Sequence, residues 1–249
     1  MHVLKFDDPI AVSLVEAIRS GDIASLTRQL QPDGQLADVR IEDRRGTRRS
    51  LLHVATDWPG YFPQGPAVVR LLIEAGADPN APLVGGNVPE TPLHWAASSD
   101  DADVAAALID GGADLEVGGA SIAGGPPLDD AVGYGCWNVA RLLVERGAHV
   151  RQLWHAAALG HMAVVESCLA ADPPPSRTEI SNAFWQACHG GQRRTAERLF
   201  LAGADVNWLP DWATDTPVVI AASGGTQRDN LVEWLRQNGA TQSWGEVKE

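Results

Sequence analysis

The sequence is poor in positive charge and in long apolar runs, and each shortage excludes a class of function. It has 19 Lys and Arg residues against 32 Asp and Glu residues, which gives a formal net charge of −13. Nucleic-acid backbones and anionic membrane surfaces both select basic proteins, so neither is the expected partner. No stretch reaches the roughly 18 apolar residues of a membrane span, and the first residues lack the apolar core of a signal peptide.

Cysteine is also scarce. Only Cys136, Cys168 and Cys188 are present, and no two of them form a Cys-x-x-Cys pair. An odd count without a disulfide framework is typical of reduced, buried thiols. Together with the missing export and membrane segments, this predicts a cytoplasmic protein.

What the sequence does contain is a repeated phrase, written most clearly as Thr91-Pro92-Leu93-His94-Trp95-Ala96. Each copy centres on an alanine that has an apolar residue three positions before it, and a second apolar stripe at helical spacing follows. Most of the second stripes end in a glycine able to adopt the left-handed conformation that closes a helix. The alanines are Ala17, Ala55, Ala96, Ala131, Ala156, Ala187 and Ala221, and the glycines are Gly76, Gly112, Gly147, Gly203 and Gly239.

The phrase Thr-Pro-Leu-His-x-Ala resembles the signature of ankyrin repeats, units of about 33 residues built from a β-turn and two helices. The resemblance implies an all-α ankyrin-repeat solenoid of about seven helix-turn-helix repeats with short β-hairpin turns, in a single domain over residues 1–249. Composition and the lack of an attached domain also resemble stand-alone bacterial, actinobacterial-type ankyrin proteins. The predicted repeats are 9–45, 46–86, 87–120, 121–150, 151–175, 176–210 and 211–240, followed by a polar tail, 241–249.

Three irregularities interrupt the predicted array. Residues 57–66 combine aromatics with three prolines and two glycines, which predicts an ordered, protruding loop rather than a helix. The step from Leu128 to Leu153 is shorter than one repeat, so the hairpin between the fourth and fifth repeats should be missing or minimal. After a run of prolines, Ser176 and Glu179 have the spacing of a capping box for the next helix.

The alignment also identifies the variable positions on the inner helices, which we expect to be exposed on a concave face. His53 and His94 occupy the signature position, where the resemblance implies a hydrogen bond to the backbone of the neighbouring repeat. In later repeats Asp129, Trp154 and Trp185 replace that histidine, which either repacks the contacts between repeats or lines a cavity. The predicted binding residues are polar or aromatic: Asp57, Trp58, Trp95, Asp130, Tyr134, His155, Gln186, His189 and Trp212.

Two functions follow from this surface. The resemblance implies a scaffold that binds a protein partner, and the acidic, aromatic concave face favours a basic or cationic one. The alternative is a pocket for a cationic or sugar-like small molecule, closed by the 57–66 loop, in which Asp130 and His155 could act as an acid–base pair. The same two residues, with His189 or Asp57, could hold a divalent metal. Neither set has diagnostic spacing, the common catalytic and phosphate-binding motifs are missing, and we predict no cofactor or metal.

Overall fold

The computed structural model describes residues 2–31, 36–223 and 228–242. The predicted polar tail therefore lies outside the described residues from position 243 onward. Within the described ranges, no helix combines the length and apolar character needed to cross a bilayer.

The described residues form helices in successive pairs, one pair in each of the seven predicted repeats. This confirms the predicted ankyrin-repeat fold. Glycine ends the pairs as expected, because Gly76, Gly112, Gly147, Gly203 and Gly239 all adopt positive φ. The helices are α1 (Pro9–Ser20), α2 (Ile23–Leu30), α3 (Leu51–Ala55), α4 (Gly65–Glu74), α5 (Pro92–Ser98), α6 (Ala102–Asp110), α7 (Pro127–Gly133), α8 (Trp137–Glu145), α9 (Leu153–Leu159), α10 (Met162–Leu169), α11 (Arg177–His189), α12 (Arg193–Leu201), α13 (Pro217–Ser223) and α14 (Asp229–Gln237).

A small mixed sheet accompanies the helices and is absent from the sequence prediction beyond its turns. Strand β1 (Val3–Lys5) pairs in parallel with β2 (Arg40–Glu42), which pairs antiparallel with β3 (Arg48–Ser50). The β2–β3 pair is the hairpin that enters the second repeat. The N-terminal segment is thus held by backbone hydrogen bonds along one edge of that hairpin.

The chain divides into two compact units, an N-terminal unit (Met1–Ala148) and a C-terminal unit (His149–Glu249). In the N-terminal unit the first helices of successive pairs, α1, α3, α5 and α7, contact one another in order. Their buried faces carry a small residue and an apolar residue in each repeat, such as Ala96 with Leu93. Burial of these side chains provides the main stabilisation of the array.

The C-terminal unit has its own core. Helix α11 contacts α9, α12 and α13, and Phe184 at its centre is fully buried. Ser176 caps this helix as predicted: its hydroxyl accepts from the Glu179 N–H, and the Glu179 carboxylate accepts from the Ser176 N–H. Trp234 packs against this core, with its ring 5.7 Å from that of Phe200.

Hydrogen bonds from side chains join adjacent repeats. The His53 Nε2–H donates to the Glu90 carbonyl at 3.0 Å, and the His94 Nε2–H donates to the Gly125 carbonyl at 3.3 Å, as the resemblance implied. In the sixth repeat the Trp185 Nε1–H donates to the Asp215 carbonyl at 2.8 Å. Trp185 therefore takes over the role of the histidine, which favours repacked repeat contacts at this position. For Asp129 and Trp154 both interpretations stay open.

The predicted loop is shorter than residues 57–66. It ends at Gln64, because Gly65 and Pro66 form the first turn of α4, where a proline is tolerated. Two hydrogen bonds hold the loop in place. The Tyr61 N–H donates to the Asp101 carboxylate at 2.7 Å, and the Tyr61 hydroxyl donates to the Asp100 carbonyl at 2.6 Å. The loop is thus ordered and protruding, as expected.

Candidate functional site

The N-terminal unit contains a recess of about 300 Å³ between the loop and the inner helices. Three parts of the chain form it. They are the loop after α3, helix α5 with the residues next to its two ends, and the residues that flank α7, namely Ser121 in the loop before it and Tyr134 directly after it. The lining residues are Thr56, Asp57, Trp58, Glu90, Trp95, Ser98, Ser99, Ser121 and Tyr134. Four of the predicted site residues therefore line one recess, namely Asp57, Trp58, Trp95 and Tyr134.

Aromatic side chains dominate the mouth of the recess. Trp58 is 80% exposed, and Tyr134, at the end of α7, is 52% exposed. Trp95 is half-buried; its ring meets the edge of the His53 ring at 4.9 Å, and its Nε1–H donates to the Glu90 carboxylate at 3.2 Å. The recess thus presents flat apolar faces beside polar groups, a combination that favours recognition of a ligand.

Two carboxylates line the recess, and their surroundings differ. One oxygen of Asp57 accepts from the guanidinium groups of Arg19 at 2.7 Å and Arg49 at 2.9 Å, so its charge is compensated. Glu90 receives only the indole N–H of Trp95 among the side-chain contacts described for it. Glu90 is therefore the carboxylate in this recess that can attract a cation, and the sequence alignment missed it because it precedes the repeated phrase.

A buried carboxyl group lies behind Ser121. Asp130 is fully buried, and its Oδ1 accepts from the Ser121 hydroxyl at 2.9 Å and from the Ile122 N–H at 3.0 Å. Its Oδ2 is buried without a hydrogen-bond partner among the described residues. Burial raises the pKa of Asp130 to about 6, with Glu90 and Asp129 adding to the shift while its two hydrogen bonds oppose it.

The expectation that Asp130, His155 and Gln186 are exposed is wrong. All three are buried, with exposures of 0%, 1% and 2%. The first helices of successive pairs lie side by side, so the position before the reference alanine faces a neighbouring helix rather than solvent. The half-buried Trp95 departs from this pattern because its large ring extends to the recess.

The other predicted residues lie in the C-terminal unit. His155 packs against Trp154, with ring centroids 4.0 Å apart. His189 is half-buried and contacts the Trp185 ring, which also meets the edge of the exposed Trp212 ring at 4.9 Å. Burial and the nearby Arg228 guanidinium lower the pKa of His189 to about 4, so it is neutral at pH 7.

Metal binding and thiol chemistry both depend on which His, Cys, Asp and Glu side chains lie together and which thiols are exposed. Among the described residues, no three His, Cys, Asp or Glu side chains form a group able to hold a metal ion. The metal alternative built on Asp130, His155 and His189 or Asp57 thus has no support. All three cysteines are free, and Cys136 and Cys188 are buried as expected, whereas Cys168 is half-buried.

Comparison with known proteins agrees with this architecture. Residues 61–152 match the family model described as ankyrin repeats (3 copies). The ankyrin repeat and KH domain-containing protein mask-1 of Caenorhabditis elegans is 27% identical over 84% of this chain, and a Caenorhabditis briggsae protein of the same description is 24% identical over 87%. The chain spans about 8% of the length of these relatives.

A solved structure is also similar along most of the chain. The crystal structure of the ankyrin repeat domain of Bcl-3, a member of the IkappaB protein family, matches with a TM-score of 0.50 and 26% identity. The match covers 90% of this chain and 97% of that one. Ankyrin repeats generally mediate protein–protein interaction. The repeated phrase, the paired helices, the histidine contacts between repeats and these similarities together show that the chain contains ankyrin repeats and has the ankyrin-repeat fold.

Proposed function

We propose that this protein binds a basic protein partner through the surface around the recess of the N-terminal unit. The observation that carries the proposal is the position of Trp58, an indole that is 80% exposed on a loop fixed by Tyr61. A large ring held in solvent by an anchored loop is available for a partner to cover. Tryptophan and tyrosine are also the side chains that most often dominate binding energy at protein interfaces.

The charge of the molecule supports a basic partner. The sequence carries a formal charge of −13, and Glu90 adds a carboxylate within the recess whose described side-chain contact is a neutral indole. Opposite charge on a partner would accelerate its encounter with this surface, and salt would slow it. The aromatic rim then provides contact area once the partner has docked.

We also propose Trp212 as a binding residue of the C-terminal unit, where it is 61% exposed and rests against Trp185. His189 supports the Trp185 ring from its own helix. His155 and Gln186 are buried, so their contribution is to hold the helices of this unit rather than to touch a partner. The C-terminal unit, taken by itself, thus presents Trp212 as its candidate contact for a partner.

The test begins by identifying the partner through the site itself. A photoreactive phenylalanine analogue placed at Trp58 is irradiated in extracts of cells that express the protein, and a matched protein carries it at Leu201. Leu201 is 81% exposed on α12 and serves as the control for non-specific capture. A protein captured from position 58 and not from position 201 is then purified.

Binding of the purified partner decides the outcome. We expect Trp58→Ala to weaken it by about tenfold or more, whereas Leu201→Ala leaves it unchanged. We also expect the association rate to fall as salt increases. Equal affinity of wild type and Trp58→Ala would exclude this surface as the interface, and an association rate independent of salt would exclude a basic partner.

A second candidate function is small-molecule binding in the same recess. The volume of the recess, about 300 Å³, and its mixed aromatic and polar lining favour it, because small-molecule sites are concave and combine apolar walls with a few polar groups. Thermal unfolding of wild type and Asp130→Asn with cationic metabolites and sugars tests this. Stabilisation of the wild type alone would support a small-molecule site, and unchanged melting temperatures for both proteins would reject it.

A further inference from the structure

We propose that the recess binds a primary ammonium group, the side chain of a lysine on the protein partner. The inference rests on the proposed function and specifies which chemical group of the partner enters the site. It follows from the number and arrangement of the hydrogen-bond acceptors around the recess.

The serine hydroxyl groups of the recess can act only as hydrogen-bond acceptors toward a ligand, because backbone carbonyls already take their hydrogens. Ser98 Oγ donates its hydrogen to the His94 carbonyl and Ser99 Oγ to the Trp95 carbonyl, both at 2.8 Å. Their lone pairs therefore remain available, because a hydroxyl has one hydrogen and two lone pairs. A ligand that enters must accordingly bring its own donors.

The buried Asp130 carboxylate, acting through Ser121, also leaves the Tyr134 hydroxyl as an acceptor toward a ligand. When Asp130 is ionised, Ser121 must donate to it, so the 3.1 Å contact between Ser121 Oγ and Tyr134 Oη has the tyrosine as donor. The Tyr134 oxygen then presents only lone pairs to a further group. Asp130 is thus a positioning residue that orders two hydroxyl groups at the edge of the recess.

The acceptors suit an ammonium group better than a guanidinium group. A guanidinium binds most strongly when a carboxylate offers both oxygens in one plane. Here Glu90 Oε2 is already bonded to the Trp95 indole, and Asp57 Oδ2 already accepts from two arginines. One free Glu90 oxygen and separate hydroxyl oxygens match the three rotatable donors of an ammonium group.

The aromatic rim fits the rest of a lysine side chain. The exposed Trp58 ring and the Trp95 ring line the recess with the carboxylate of Glu90. A lysine can place its apolar stem along such rings while its charged end reaches the acceptors, and the rings attract the cation. N-methylation removes donors, so this arrangement predicts that an unmodified lysine binds better than a trimethylated one.

The test is an NMR titration of the full chain with four peptides that differ at one central residue: lysine, trimethyllysine, arginine and norleucine. The probe is the indole N–H signal of Trp95, assigned with Trp95→Phe. We expect saturable shifts with the lysine peptide and an affinity at least about fivefold weaker for each of the other three. Glu90→Gln should weaken lysine binding by a similar factor. Glu74→Gln, which removes the same charge from an exposed position on α4, should not.

The outcomes separate this inference from the proposed function. Equal binding of the norleucine, arginine or trimethyllysine peptide, or no effect of Glu90→Gln, would overturn the lysine assignment. If a purified partner still requires Trp58 in that case, the proposed interface stands and only the group that enters the recess is wrong. If Trp58→Ala leaves partner binding unchanged while the lysine peptide still titrates Trp95, the proposed interface fails and the recess remains a lysine site.

Discussion

At the scale of single residues, Trp185 shows how one side chain can replace another of different chemistry. His53 and His94 donate from an imidazole Nε2–H to a carbonyl of the next repeat, and Trp185 donates from its indole Nε1–H to the Asp215 carbonyl. The common requirement is a donor on a flat ring that reaches across the contact between repeats. Substitution of the histidine therefore does not mark a functional site at this position.

We predict that Trp185→Phe destabilises the protein by about 1 kcal/mol, because an aromatic ring is kept while the half-buried Asp215 carbonyl loses its donor. Urea unfolding monitored by circular dichroism measures this. Trp212→Phe is the matched control, since Trp212 is exposed and the ring contact would persist. Equal effects of the two variants would show that the indole hydrogen bond contributes little.

Asp130 leads to a prediction about pH. Its pKa in the folded protein, about 6, lies above its ordinary value of 3.8, so folding favours the protonated form. Its contribution to stability is therefore present at low pH and is lost as the pH rises from about 4 to 6. We expect wild type to lose about 1 kcal/mol relative to Asp130→Asn between pH 5 and pH 7. Urea unfolding at both pH values tests this, and Asp103→Asn, at an exposed position, should show no such change.

At the scale of elements, the repeated phrase is sufficient to predict the helix pairs. The features that it does not predict have physical reasons. Small and apolar residues at fixed spacing determine how two helices cross, so the seven pairs followed from the sequence. Strand β1 could not be predicted, because three residues are too few for a periodic pattern and its partner β2 lies far along the chain. The burial of Asp130, His155 and Gln186 was missed because it depends on how closely successive helices approach.

The cap of α11 gives a prediction at this scale. Ser176 follows a proline run and satisfies the Glu179 N–H at the start of the helix. We expect Ser176→Ala to lower the free energy of unfolding by about 1 kcal/mol, because a backbone donor loses its acceptor. Ser13→Ala, at an exposed position within α1, is the control and should be neutral or slightly stabilising. Thermal unfolding compares the two, and a neutral Ser176→Ala would mean that solvent replaces the cap.

At the scale of the whole molecule, buried histidines decide the response to acid. Burial lowers the pKa of His53 to about 3, and burial together with Arg228 lowers that of His189 to about 4. Both values lie below the ordinary 6.5, so stability is present above pH 6.5 and is lost as the pH falls. Between pH 7 and pH 5, each of these two histidines lowers the free energy of unfolding by about 2 kcal/mol, whereas Asp130 raises it by about 1 kcal/mol.

We therefore expect the whole protein to lose at least roughly 2–3 kcal/mol over this range, since these two histidines outweigh the aspartate and burial also lowers the pKa of His94. Urea unfolding of the wild type at pH 7 and pH 5 measures the difference. His53→Gln should flatten the profile, because it removes one of the groups that must stay neutral. A stability that rises on acidification would mean that Asp130 dominates.

The hydrogen bond from the Trp185 indole affects how the contacts between repeats respond to acid. An imidazole that joins two repeats must stay uncharged, because its Nδ1 accepts from a backbone N–H, as His53 does from Ser50. An indole has no titratable nitrogen in this range, so its hydrogen bond to Asp215 is indifferent to acid. The hydrogen bonds that His53 and His94 make between repeats are thus sensitive to protonation, whereas the one that Trp185 makes is not.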